Sequence, residues 1–165
     1  MSVLNLPTAG GGTAPLHLTA GPVPVPGGDW TRTAYAAAHV VADPLADVDP
    51  GAGVAVDWDK TLAFRHHLWS LGLGVAEAMD TAQRGMGLDW PTSLSLIQRS
   101  MKDAPAGALI ASGAVTDHLV PGQDVTINDV IAAYEMQCEA VEATGSRVIL
   151  MASRALVAAA RSPDD

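Results

Sequence analysis

The sequence predicts an α/β fold of four parallel strands alternating with helices, and three observations carry that prediction. Short apolar runs recur at intervals of roughly 35–40 residues, the spacing of a strand followed by a helical crossover. The stretches between them place apolar residues at helical intervals and are bounded by capping residues. The composition fits as well: 48% of the 165 residues are hydrophobic, 16% are charged and only 4% are aromatic. Such a chain buries too much apolar surface to be disordered. Its Ala and Val excess suits buried parallel strands under closely packed helices.

The elements follow in order. Residues 33–42 (TAYAAAHVVA) form an apolar run stopped by Asp43-Pro44, which reads as the first strand. Asp57 then caps a helix running to Leu71, with Trp58, Leu62, Arg65 and Trp69 at helical spacing. Gly72 and Gly74 end it, and residues 74–78 (GVAEA) are the second strand. Asp89-Trp90-Pro91 opens the next helix with proline in its first turn, followed by Leu94, Ile97 and Met101. Residues 108–112 (ALIAS) make the third strand. Asn128 is the expected cap of the clearest helix, residues 129–144, with an apolar face of Ile131, Tyr134, Cys138 and Val141 and a stop at Gly145. Residues 147–153 (RVILMAS) are the fourth strand.

Two architectures accept four such units: an open doubly wound sheet, or part of a (β/α)8 barrel. A whole barrel needs roughly 200 residues or more. After the fourth strand only residues 156–161 precede Ser162-Pro163-Asp164-Asp165, so the pattern predicts no fourth helix. That ending favours half of a (β/α)8 TIM barrel, strands 1–4 with helices 1–3, over residues 32–165. Residues 1–31 stand apart, with six glycines, five prolines and no charge before Asp29. They read as an N-terminal arm or short β hairpin, with a strand at Leu16-His17-Leu18-Thr19 and an extended Pro/Val alternation from Pro22 to Pro26.

Charge narrows the function classes. Nine Lys and Arg against 18 Asp and Glu give a net charge of −9, with no basic stripe to displace phosphate counterions. Nucleic acid and anionic membrane surfaces are therefore not expected partners. No apolar run approaches the ~20 residues of a membrane span, and no Lys or Arg precedes the first Gly run as a secretory signal would require. The single cysteine, Cys138, permits no internal disulfide and reads as a buried thiol. A cytoplasmic protein is the expectation.

From Arg32 to Arg161 the chain resembles a bacterial family of dihydrodipicolinate-synthase-like proteins. The residues carrying the resemblance are Arg32–Pro44 (RTAYAAAHVVADP), Asp57-Trp58-Asp59, the long block from Leu68 to Pro91 (LWSLGLGVAEAMDTAQRGMGLDWP), and Val148–Arg154 (VILMASR). The resemblance implies a (β/α)8 barrel of roughly twice this length, of which this chain matches the first half. It implies lyase or aldolase-type C–C chemistry on a small oxo-acid or sugar-derived substrate. The wider superfamily forms a Schiff base through a lysine on its sixth strand, beyond residue 165. Its Thr-Thr-Gly-Glu turn is Thr81-Ala82-Gln83-Arg84 here, and Ser153-Arg154 stands where it carries a proton-relaying tyrosine.

In either architecture ligands meet the C-terminal ends of the strands. Glu77, Asp80 and His39 are the candidate proton-handling residues; Glu77, inside an apolar strand, needs a partner, and Arg84 is the nearest cation in sequence. Arg84, Thr81, Ser112 and Arg154 are the candidate substrate-binding residues, the arginines suiting a carboxylate or phosphate. No cofactor is expected; a divalent metal held by Glu77, Asp80 and His118 is the alternative. His66 and His67 diverge by roughly 100° around their helix and do not share a site. The expected partners are a complementary chain carrying strands 5–8, in a hetero-oligomer with one shared active site, and a small anionic substrate. The alternatives are a non-catalytic scaffold subunit and a metal-dependent isomerase or hydrolase.

Overall fold

The computed structural model describes residues 2–21, 31–49, 53–119 and 124–163. The expected Pro/Val alternation of residues 22–26 and the acidic end at 164–165 lie outside the described residues. Two sheets are present among the described residues. Strands β1 (Ser2–Pro7) and β2 (Thr13–Leu18) pair antiparallel through a turn in which Gly11 takes a positive φ. Strands β3 (Tyr35–Ala37), β4 (Gly74–Glu77), β5 (Ile110–Ala114) and β6 (Arg147–Leu150) form a parallel sheet in sequential order. Helices α1 (Trp58–Ser70), α2 (Trp90–Asp103) and α3 (Ile127–Glu142) are the crossovers, and α4 (Arg154–Ala159) follows β6.

This corrects the expected fold class. The half-barrel reading required strands 1–4 with helices 1–3 and a chain that stops after the last strand. The described residues instead hold four helices, with a four-stranded parallel sheet and a separate antiparallel hairpin. The missed helix is α4. Ser153 caps it by accepting a hydrogen bond from the Leu156 amide, 3.0 Å away. At six residues it is too short for a 3.6-residue period to show in the sequence.

Register fixes which face of the parallel sheet is covered. Glu77 lies opposite Ser112, and Ser112 opposite Val148, so these three side chains leave the sheet on one side. Glu77 reaches Arg65 of α1 and Ser100 of α2, and Val148 packs on the cluster of Leu96, Ile97 and Val141 from α2 and α3. All three crossover helices therefore cover the same face, as right-handed connections in a sequential sheet require. A smaller cluster of Ala38, Leu68 and Val75 seals α1 against β3 and β4. The opposite face carries the small residues Gly74, Ala76, Ala111 and Gly113.

Two expected boundaries shift for local reasons. The first strand contracts from residues 33–42 to Tyr35–Ala37, because the chain beyond it turns to pair Ala42 with Val56 in an antiparallel bridge. The cap of α3 is Thr126, not Asn128. Thr126 and Asp129 form a reciprocal capping box that satisfies two first-turn amides at once. The buried face of α3 is Val130, Ala133, Gln137 and Val141, while Ile131, expected inside, is 49% exposed.

Candidate functional site

The C-terminal ends of β4, β5 and β6 feed three segments that meet above the sheet: residues 78–88, 115–119 and 151–154. They enclose a cavity of 1040 Å³ with the N-terminus of α3 and the length of α4. Its polar lining comes from Asp80, Arg84, Thr116, Asp117, Asp124, Thr126, Arg154 and Arg161; Val115, Ile127 and the alanines of α4 supply the apolar wall. Open parallel sheets bind ligands at this end because the strand carbonyl ends and following loops leave a crevice there.

Arg84 is buried beneath the cavity and every N–H it carries is used. Its Nε and Nη2 form a two-pronged ion pair with Asp117 at 3.0 and 2.7 Å. Nη2 also donates to Gln137 Oε1 at 2.8 Å, and Nη1 donates to the carbonyls of Gly113 at 2.6 Å and Ala78 at 3.4 Å. The indole of Trp90 lies 5.2 Å from the guanidinium carbon. The close approach explains why residue 113 is glycine. A Cβ there would stand 2.8 Å from the Ala78 carbonyl oxygen, which is backbone and cannot yield.

Glu77 is paired with Arg65, not with Arg84. Arg65 Nε and Nη2 meet the two carboxylate oxygens at 2.9 and 2.7 Å, Ser100 donates to Oε2 at 2.6 Å, and the Ala78 amide donates to Oε1 at 3.0 Å. Both charged side chains are fully buried. Arg65 completes its own bonding with the carbonyls of His39 and Thr61. The register that sends Glu77 toward the helices directs it away from the cavity, so this pair joins sheet to helices.

The other sequence-predicted residues separate into two groups. Asp80, in a short 3-10 turn (Asp80–Ala82), and Arg154, at the start of α4, are exposed and line the cavity. No partner engages the Arg154 guanidinium among the described residues. His39 lies two residues past β3, its ring tilted 40° to that of Phe64 with centroids 4.6 Å apart, and Thr81 Oγ1 is 3.5 Å from the Ala38 carbonyl. Ser112 is buried on the helix side and shares a 2.8 Å hydrogen bond with Ser146. Glu77, Asp80 and His118 do not assemble into a ligand set, and no group of three His, Cys, Asp or Glu among the described residues is placed to hold a metal ion.

Sequence reasoning missed Gln137 and did not pair Arg65. Gln137 was detectable: it sits seven residues after Val130 and four before Val141, on the stripe that helical spacing buries. A polar residue on that stripe must find partners. Lys60 and Lys102, the chain's two lysines, do not line the cavity; Lys60 is held in the first turn of α1 by Asp57.

Two groups beside the cavity have shifted acidities. Burial raises the Asp117 carboxyl, but hydrogen bonds from Arg84 and Gln137 outweigh it and the net shift is downward. Burial also lowers His118 from its ordinary value of 6.5; the Asp117 charge opposes that shift and the Arg84 charge adds to it. Both shifts have the same sign for stability. A folded pKa below the unfolded one means the unfolded chain binds protons first as the pH falls. Stability is thus expected to decline in two stages, beginning below about pH 6.5 for His118 and below about pH 4 for Asp117. Urea denaturation from pH 7.5 to 4.5 checks the first stage. His118→Asn should flatten it, and an unchanged slope in that variant would assign the decline elsewhere.

No helix among the described residues is long and apolar enough to cross a membrane. No curated protein matches the chain. A family model does match, over residues 4–165. The chain belongs to the family described as a protein of unknown function, DUF993.

Proposed function

We propose that the protein binds a small oxo-acid in the cavity above β4, β5 and β6 and moves the proton on the carbon next to its carbonyl, the opening step of lyase or aldolase-type C–C chemistry. One observation carries this reading: the guanidinium of Arg154, unengaged among the described residues, and the exposed carboxylate of Asp80 line the same cavity. Arg154 would hold the substrate carboxylate through paired N–H donors. Asp80 would accept the proton as the C–H electron pair enters the enolate. Arg84, with all its donors spent, serves as the supporting base of the site and not as its anion binder. The sequence resemblance to dihydrodipicolinate-synthase-like proteins points to the same reaction class. Neither lysine lines the cavity, so no Schiff base is routed through this chain's own residues.

Calorimetric titration with pyruvate tests binding, and loss of its methyl proton signal in D2O tests proton transfer. Arg154→Ala is expected to weaken binding about 10- to 100-fold, the worth of one charge-assisted contact. Asp80→Asn should retain binding and lose methyl exchange. A second reading, a non-catalytic scaffold subunit, is favoured by the complete internal pairing of Glu77 and Arg84. No heat and no exchange in the wild-type protein would select it.

A further inference from the structure

The cavity above β4, β5 and β6 is much larger than the smallest acid that Arg154 can hold. Its 1040 Å³ sits at the top of the range of roughly 300–1,000 Å³ for pockets that take drug-sized ligands. The lining is of two kinds. Arg154 and Asp80 belong to the polar part, while Val115, Val125 and Ile127 join the alanines of α4 in an apolar wall.

Helix α4 turns its small residues to this cavity and its larger ones away. Arg154, Ala155, Ala158 and Ala159 line it and lie within about 140° around the helix, whereas Leu156 and Val157 do not line it. A helix that packs on its neighbours turns its larger apolar residues inward. Here Val157 is 80% exposed, and the alanine methyls leave open the space that leucine-sized side chains would fill. The same face begins with Arg154, whose guanidinium has no partner among the described residues. Arg161, which also lines the cavity, is already engaged. One available cation and an alanine face about 6 Å long, from Ala155 to Ala159, suit a ligand with one acid group and an apolar tail.

We propose that the ligand of this site is a 2-oxo acid with an alkyl chain beyond its ketone, its carboxylate at Arg154 and its chain along the alanine face of α4. This rests on the oxo-acid reading and names its substrate class. The chain leaves water for the wall of Val115, Val125, Ile127 and the alanines, and each methylene buried there adds affinity. The carbon next to the ketone, from which Asp80 takes the proton, is the first methylene of that chain. Pyruvate is then a minimal ligand that meets the polar lining and leaves the wall uncovered.

Calorimetric titration of the full-length protein with pyruvate, 2-oxobutanoate, 2-oxohexanoate and 2-oxoadipate tests this. Affinity should rise up to about fourfold for each buried methylene, leaving 2-oxohexanoate about 10- to 50-fold tighter than pyruvate. The second carboxylate of 2-oxoadipate should cancel that gain. Ala158→Leu fills the wall and should remove most of the gain, whereas Val157→Leu, on the outer face of the same helix, should keep it. The wild-type series decides the matter by itself if Ala158→Leu does not fold. Equal affinity for pyruvate and 2-oxohexanoate, or tightest binding of 2-oxoadipate, overturns the alkyl chain while the oxo-acid reading stands. A folded Ala158→Leu with the full gain overturns the chain's seat on α4. Hexanoate bound as tightly as 2-oxohexanoate overturns the oxo-acid reading and leaves the apolar wall as the seat of a chain. Binding of none of these acids overturns both.

Discussion

Replacing Arg65 by Met is expected to cost about 3–5 kcal/mol, enough to leave a domain of this size barely folded. The substitution keeps an unbranched chain in the same space, so the loss is electrical and not steric. It leaves the Glu77 carboxylate buried without its cation, bonded only to Ser100 and the Ala78 amide. It also removes donors from the His39 and Thr61 carbonyls, and so unties α1 from the end of β3. Removing one partner of a buried pair is far costlier than removing both, because the survivor keeps its desolvation penalty. Arg65→Met combined with Glu77→Leu should accordingly recover much of the loss. Urea midpoints of the two variants, compared at constant slope, measure this. A single variant within about 1 kcal/mol of wild type would contradict the ion pair's place in the fold.

The second large effect is expected at Asp117. Asp117→Ala strips Arg84 of both carboxylate bonds and Gln137 of one, and leaves the guanidinium almost wholly buried without its counter-charge. Because Asp117 itself is partly open to the cavity, the expected cost is about 2–4 kcal/mol, somewhat below that of the fully buried pair. Asp117 and Gln137 act on the same guanidinium, so the Ala variants at the two positions should be non-additive by about 1 kcal/mol or more in a double-mutant cycle. Strict additivity would mean that the hydrogen bonds linking Arg84, Asp117 and Gln137 are not coupled energetically.

The sequence was most informative where periodicity and caps were strong. Asp57 and Asp89 cap α1 and α2 by the side-chain bonds their positions suggest, to Lys60 and Thr92. Strands β4 and β6 lie within the apolar runs that announce them, and β5 begins inside its run of 108–112 but extends two residues past it. Legibility failed in three ways. Helix α4 is shorter than a detectable period, and its absence from the pattern made the fold look truncated. Asn128 was the expected cap of α3, and only geometry shows that the Asp129 carboxylate completes a capping box with Thr126, two residues earlier. Glu77 and Arg65 lie twelve residues apart on different elements, so sequence proximity favoured Arg84 while strand register selected Arg65.

At the site, position was more legible than role. Asp80, Arg84 and Arg154 all come to the strand ends, where the sequence places them. Which arginine is free to meet a ligand was not readable, because that depends on Asp117 and Gln137 arriving from a loop and a helix that follow. The amide of Gln137 satisfies Arg84 from below, and that leaves Arg154 as the cation facing the cavity without an internal partner among the described residues.

A small anion received at the Arg154 side of this cavity would perturb the backbone that lines it. Backbone amide shifts of uniformly nitrogen-labelled protein, followed as pyruvate is added, test it most directly. Saturable shifts are expected at Asp80, Thr116, Asp117, Thr126 and Arg154, and are expected to be absent in Arg154→Ala. Saturable shifts confined to the opposite sheet face or to the β1–β2 hairpin would contradict binding there.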